Sequence, residues 1–258
     1  MNSLLSLQEL GVYLDGSNDK QLSLKDLIKD QFVDGVIPTK LMLTITIAAD
    51  ASVELLDDII AFDDLEKSAL IHHTIEFIIQ EQSTLAYRMR IAPAYDLTAS
   101  DQSISLSTNA PSSTVVVKEL KVRLTGKNAK ADIHCACYGN SNRVFTFKTL
   151  QDHQVQETTS NLVIKSVLDD SSKIISNNMI KIHKEAQRTN AEQSNKNIIL
   201  AQKARAISNP QLEIEANDVK CKHGAAVSKL NNDQLFYLQS RGIDAALTRN
   251  MLIQAFLN

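Results

Sequence analysis

Residues 210–242 read PQLEIEANDVKCKHGAAVSKLNNDQLFYLQSRG, and two periodicities meet inside them. Leu212, Ile214 and Ala216 recur at every second position with Glu213 and Glu215 between them, the pattern of a strand with one apolar face. Asn217-Asp218 interrupts the alternation and shifts its phase by one, so Val219, Cys221 and His223 share a face. Residues two apart on one strand face lie roughly 6.6 Å apart, which puts a thiol beside an imidazole. Gly224 is expected to end the strand. Asn231 or Asn232 then supplies an N-cap, a helix carries Leu235, Phe236 and Leu238, and Gly242 suits the terminating position.

Period-two runs fill the chain upstream. Leu41/Leu43/Ile45/Ile47, Ile75/Phe77/Ile79, Leu85/Tyr87/Met89/Ile91, Leu120/Val122/Leu124, Ile133/Cys135/Cys137, Phe145/Phe147 and Ile180/Ile182 each mark one strand face. Asn, Asp, Ser and Thr clusters separate them, as at residues 169–172 and 177–178. Before residue 41 the pattern is mixed. Ser23 can cap a short helix bearing Leu24, Leu27, Ile28 and Phe32, closed by Asp34-Gly35 and Pro38. Downstream, Asp244 caps a second helix whose apolar side is expected at Leu247, Met251, Leu252, Ala255 and Phe256. The expected division is a mixed segment over 1–40, a β core over 41–227 and a helical hairpin over 228–258.

Two β architectures compete. An antiparallel sandwich wants tight Asn-Gly or Asp-Gly hairpins, whereas the chain has only seven glycines and mostly Asn/Ser/Thr corners. A parallel solenoid tolerates such corners because each strand turns into the next rung without reversing. No strict repeat decides between them.

Composition removes several functions. With 27 basic and 30 acidic residues the net charge is −3, so no field demands nucleic acid as a partner. Three scattered cysteines suit a reducing compartment better than a disulfide framework. The opening MNSLLSLQELG lacks a basic leader region, and no run of ~18 apolar residues predicts a membrane span. A soluble, cytoplasmic protein is expected, without a membrane partner. Aromatic content of 5% and the absence of Trp disfavour a carbohydrate groove. The chain has neither a GxxxxGK[ST] phosphate loop nor a GxSxG elbow, so ATP chemistry would come from a partner.

The run DVKCKHGAAVSKLNNDQLFYLQSRGI (218–243) resembles the signature of the SufB/SufD family of iron–sulfur cluster assembly scaffolds. AQRTNAEQSNKNIIL (186–200) and PQLEIEANDVKC (210–221) resemble the same family's core, so the likeness covers about residues 150–258. Leu238 stands where the SufB branch carries a cysteine, and the Cys-x-His-Gly and FYL-x-SRGI wordings are most similar to the SufD branch. The resemblance implies a mainly β fold, a right-handed parallel β-helix core with a small C-terminal α-helical module. It implies a non-catalytic scaffold that pairs with a SufB-like subunit and docks a SufC-like ATPase through Leu235, Phe236 and Leu238. Cys221 and His223 would then face the partner across the seam, as metal ligands for a nascent iron–sulfur cluster or for incoming iron. The cluster would be transient and shared between subunits, since two ligands make only half of the usual four. ATP-driven dimerisation of the ATPase would pull on the helices and open that seam. The chain is shorter than typical members of that branch and stops soon after its second C-terminal helix.

Other readings stay open. One is a minimal homodimeric scaffold, disfavoured by Leu238 in place of a thiol. Another is a plain β-helix interaction protein in which Cys221 is inert packing. A secreted β-helix lyase or hydrolase would need an aromatic groove and convergent carboxylates. Cys135 and Cys137 share a face with Ile133 and read as core; a sulfur-relay role is the alternative. His134, on the opposite face, reads as exposed. His153 reads as a corner or interface residue, and His72-His73 and His183 as surface strand residues. Asp57-Asp58, Asp63-Asp64 and Asp169-Asp170 read as turn residues, because adjacent acids on a strand point to opposite faces. Lys222, opposite Cys221, could lower its thiol pKa.

Overall fold

Strand follows strand around a parallel β-solenoid of about six turns, in which every ladder among the described residues is parallel. The computed structural model describes residues 9–16, 21–29, 39–57, 70–92 and 114–258. Odd-numbered strands stack into one seven-stranded sheet: β1 (Glu9–Leu14), β3 (Lys40–Ile47), β5 (Leu70–Ile79), β7 (Val115–Leu124), β9 (Val144–His153), β11 (Lys173–Ile182) and β13 (Arg205–Ile214). Even-numbered strands stack into the other: β2 (Leu22–Ser23), β4 (Ser52–Asp57), β6 (Thr84–Ile91), β8 (Lys130–Gly139), β10 (Thr159–Leu168), β12 (Thr189–Ile199) and β14 (Val219–Ser228). The helices are α1 (Leu24–Leu27), α2 (Asn232–Ser240) and α3 (Ala245–Leu257). The antiparallel alternative is thereby excluded. Strands β1 and β2 fall before residue 41 yet extend both sheets, so the β body reaches back to residue 9.

Parallel sheets usually bury both faces. Here the lumen is the dry side along most of the rod, which is why the strands alternate so cleanly in sequence. Leu43, Ile45, Phe77, Ile79, Leu85 and Ile133 all point inward and are buried. Side chains that meet on adjacent rungs are 29 to 47 residues apart, too variable a spacing to leave a sequence repeat.

The corners explain the scarcity of glycine. Asp50, Gln82, Asn128, Ser141, Glu157, Asp170 and Arg188 take positive φ, a conformation that costs a non-glycine residue about 1 kcal/mol. Several return that cost by donating a backbone hydrogen bond to the next corner. Asp50 N–H donates to Glu81 O at 2.9 Å, Gln82 to Lys127 O at 2.9 Å and Glu157 to Gln187 O at 2.8 Å. One corner does demand glycine for space. A Cβ on Gly126 would lie 2.0 Å from the backbone nitrogen of Glu81 in the adjacent corner.

The lumen changes character along the rod. Its N-terminal part is mainly aliphatic and aromatic, with a buried ion pair among the exceptions. Lys118 Nζ and Asp57 Oδ2 meet at 2.6 Å in the interior, and the Tyr87 hydroxyl donates to the same carboxylate. Asp57 is therefore a buried partner of Lys118 and not a turn residue, because it closes an inward-facing strand position. Burial alone would raise its carboxyl pKa, but the Lys118 charge and hydrogen bonds win and hold it below the usual range. His73 likewise departs from the surface reading: it faces the lumen and is buried, while its neighbour His72 faces outward to Glu119. Toward the C-terminal end the filling becomes polar, with Ser176, Asn178, Gln193, Asn195 and Asn197 all buried. Asp58 and Asp63-Asp64, like Phe32, Asp34-Gly35 and Pro38, lie outside the described residues.

Helix α3 packs on the outer face of the even-numbered sheet. Ile253 and Leu257 meet Ala136, Tyr138, Val167 and Ile198, and Arg249 pairs with Asp169 at 2.6 Å. Of the expected side Leu247, Met251, Leu252, Ala255 and Phe256, only Phe256 joins this cluster, and the fully buried apolar anchors are Ile253 and Leu257 instead. The helix is apolar nearly all round, so its periodicity could not choose, and the outward apolar patch of the sheet chose instead. Asn231 caps α2 and Asp244 caps α3, while Gly242 takes φ +84° just past the end of α2. Among the described residues no helix is long and apolar enough to cross a membrane.

Candidate functional site

The rod ends on β13 and β14. Each pairs on one side only, β13 with β11 and β14 with β12, so both present an unpaired row of backbone donors and acceptors. With no further rung above them, their inward-facing side chains lie open. Leu212 and Ile214, the residues whose alternation defines β13, are exposed for this reason, as is Val227, whereas Ile207, in register with Ile175, is exposed on the outer face. Strand β14 runs through Gly224 to Ser228, four residues beyond the expected stop, because its ladder with β12 continues through Ala226 and Val227.

Cys221 and His223 sit on this last strand, two residues apart and on the lumen-facing side. Cys221 is in register with Ala191 and His223 with Gln193, both buried. The thiol is half-buried against an aliphatic cluster of Ile180, Ile182, Ala186, Ala191 and Ala216. Burial pushes its pKa up. Lys222, on the opposite face, does not lower it, since adjacent residues of a strand point to opposite sides of the sheet. His223 is exposed at the rim. Among the described residues no group of three or more His, Cys, Asp or Glu converges on a metal position. Sulfur and nitrogen are sound iron donors, so the pair can supply two ligands at an open surface and no more.

The other cysteines are placed differently. Cys135 and Cys137 lie buried on the lumen side of β8, and burial pushes Cys135 up to about 12 and Cys137 higher still. His134 pairs with Asp132 on the outer face. His153 is buried at the end of β9, its ring nitrogens 2.7 Å from Thr158 Oγ1 and 2.8 Å from Ser160 Oγ. Burial drives its pKa down to about 4, against the pull of Asp152. It stands beside a corner, as expected, but is buried there and faces no interface. His183, at the next corner, bonds Asp152 at 2.8 Å.

Helix α2 buries none of its residues. Phe236 is 74% exposed and Tyr237 beside it 57%, with the Arg241 guanidinium 5.3 Å from the Tyr237 ring centre. Leu235 turns the other way, lining a cavity of about 330 Å³ with Ile199, Leu230 and Arg249. Leu238 is half-buried. Sequence reading did not single out Tyr237; adjacent aromatics on a capped helix were the available signal. Nor did it find Asp57–Lys118, whose members are far apart in sequence and carry no motif.

The family described as "SUF system FeS cluster assembly, SufBD core domain" matches residues 39–256. The chain is similar to the iron-sulfur cluster assembly protein SufD of Escherichia coli (strain K12), 33% identical over 134 residues, which are 52% of this chain and 32% of that protein. It is similar to the SufBD family protein slr0076 of Synechocystis sp., 40% identical over 97 residues, 38% of this chain and 21% of the relative. SufD of Bacillus subtilis (strain 168) is 31% identical over 141 residues, 55% of this chain and 32% of the relative. The matched part thus spans about a third or less of these relatives' length.

Proposed function

The chain belongs to the SUF-system SufBD core family, most like SufD, and on that premise we propose that it is a SufD-like scaffold subunit for iron–sulfur cluster assembly. The observation that carries this reading is the placement of Cys221 and His223 on the terminal strand, at an end of the rod whose ladders stop short. A SufB-like subunit would continue those ladders through the free edges of β13 and β14, a strand-addition mode in which main-chain bonds bring affinity and side-chain pockets bring specificity. The nascent cluster is the cargo of that seam. Cys221 and His223 would offer it two donors, and the partner the rest.

The thiol's raised pKa fits a ligand that deprotonates only when a metal arrives, since binding iron releases the proton. The scaffold itself performs no catalysis. A SufC-like ATPase would dock on α2, where Phe236 offers an uncovered aromatic anchor with Leu235 and Leu238 behind it. Its dimerisation would move the helices and open the seam to iron and sulfur.

Replacing Cys221 with Ser and His223 with Ala, one at a time, and measuring cluster assembled on the purified complex tests the seam. Both variants are expected to lose most of it; full retention by both removes the proposal. Phe236→Asp is expected to abolish co-purification with the ATPase while leaving the fold intact, and unchanged binding would move the docking site elsewhere. Size-exclusion with light scattering separates the heteromeric reading from a homodimeric scaffold.

A further inference from the structure

One residue behind the candidate ligands is left in an arrangement that the fold alone does not explain. Gln193 is 2% exposed, and neither Oε1 nor Nε2 of its side chain has a hydrogen-bond partner. Buried amides are normally satisfied, and those that are not call for a reason. Along the ladder its in-register neighbours are Leu162 on β10, which offers nothing polar, and His223 on β14. Adjacent strands stand about 4.8 Å apart, so in-register side chains on the same face lie flank to flank. His223 is exposed, and its ring can turn about its own torsions until a nitrogen meets the amide.

We propose that Gln193 is a positioning residue for His223: its Oε1 accepts a hydrogen bond from the imidazole N–H that faces the rod, leaving the other ring nitrogen bare and turned toward the seam. The assignment rests on the reading of Cys221 and His223 as half of a cluster site. A ligating histidine commonly gives its second nitrogen to such a partner, which fixes both tautomer and ring orientation. A glutamine suits this role. It is uncharged, so it orients the ring without adding a charge beside the donor, and it is held from inside the rod by packing that the arrival of a partner would not disturb.

The test is direct observation of the His223 tautomer in the full chain labelled with ¹⁵N-histidine, the resonance assigned with His223→Asn. The expected result is a single neutral tautomer in the unsubstituted chain, the free-imidazole mixture in Gln193→Leu, and recovery of a single ring state in Gln193→Glu. Ferrous iron titrated into the complex with its partner subunits should bind about tenfold more weakly in Gln193→Leu, the scale of second-layer losses at histidine ligands. A free-imidazole mixture in the unsubstituted chain overturns the proposal whatever the variants do, so their folding does not decide it. If that mixture appears while His223→Ala still abolishes cluster assembly, the positioning role fails and the ligand reading stands. If the tautomer is fixed by Gln193 but His223→Ala assembles clusters normally, the ligand reading fails instead.

Discussion

Lys118 Nζ lies 2.6 Å from Asp57 Oδ2 inside the rod, with both side chains almost wholly withdrawn from solvent. An ion pair in a lumen otherwise filled with Ile75, Phe77, Leu85 and Leu120 is held by mutual need. Its removal from one side exposes the other to an apolar surrounding that it cannot tolerate.

Lys118→Met is therefore expected to destabilise the chain by about 3–5 kcal/mol, because it leaves the Asp57 carboxylate buried without its cation. Asp57→Asn combined with Lys118→Met should recover a large part of that loss. Urea unfolding of the two single variants and the double variant measures both. Additive losses would show that the pair is not coupled.

His153 predicts a pH dependence of known sign. Its folded pKa of about 4 lies below the ordinary value near 6.5, since burial against Thr158 and Ser160 disfavours the charged ring. The native state thus binds fewer protons than the unfolded chain between those values, and stability rises with pH. The contribution is complete above pH ~6.5 and lost as pH falls toward 4, by about 3 kcal/mol in all. His153→Gln should flatten this slope in denaturant unfolding followed from pH 7 to pH 4.5. Loss tied to Asp57, whose carboxyl is held low, belongs to still lower pH.

The three thiols should separate by reactivity. Cys135 and Cys137 are buried with strongly raised pKa values and are expected to resist alkylation in the native chain. Cys221 is half-buried at the open end and should react alone, slowly at pH 7 and faster at pH 9, since burial raises its pKa too. Mass spectrometry of the native and urea-unfolded chain should count one modified thiol and then three. A protected Cys221 would place it outside any surface that a second subunit could cover.

Gly126→Ala tests the corner stack. The added methyl would stand 2.0 Å from Glu81 N, a backbone atom that cannot swing away as a side-chain tip can. A loss of about 3 kcal/mol or more is expected, at the severe end for a one-carbon change. Gly224→Ala is the control, since nothing lies within 4 Å of its Cβ position. Equal effects at the two glycines would refute the crowding account.

Alternation at Leu41–Ile47, Leu85–Ile91 and Leu120–Leu124 was enough to find the strands and their inward faces, because a solenoid wall has one dry side and one wet side. The caps at Asn231 and Asp244 and the terminator at Gly242 were legible for a similar reason: each is satisfied by its own neighbours within a turn. The adjacency of Cys221 and His223 followed from their spacing of two. Corner geometry was only half visible. Asn128 and Asp170 are natural left-handed residues, whereas Gln82, Glu157 and Arg188 adopt that conformation because the next rung's carbonyl is waiting for their N–H.

What the amino-acid sequence determined by itself is local: which residues alternate, where a strand turns, where a helix starts and stops, and that a sulfur and a nitrogen donor share one strand face. What only the tertiary structure decided is the company those residues keep. It set Asp57 against Lys118, put Gln193 behind His223, chose the packed face of α3, and left β13 and β14 with free edges at the end of the rod. The physical reason is distance along the chain. A periodic pattern records which side of a strand is dry, but partners 30 or 60 residues away are selected by the stacking of whole rungs, and no short-range pattern carries that register.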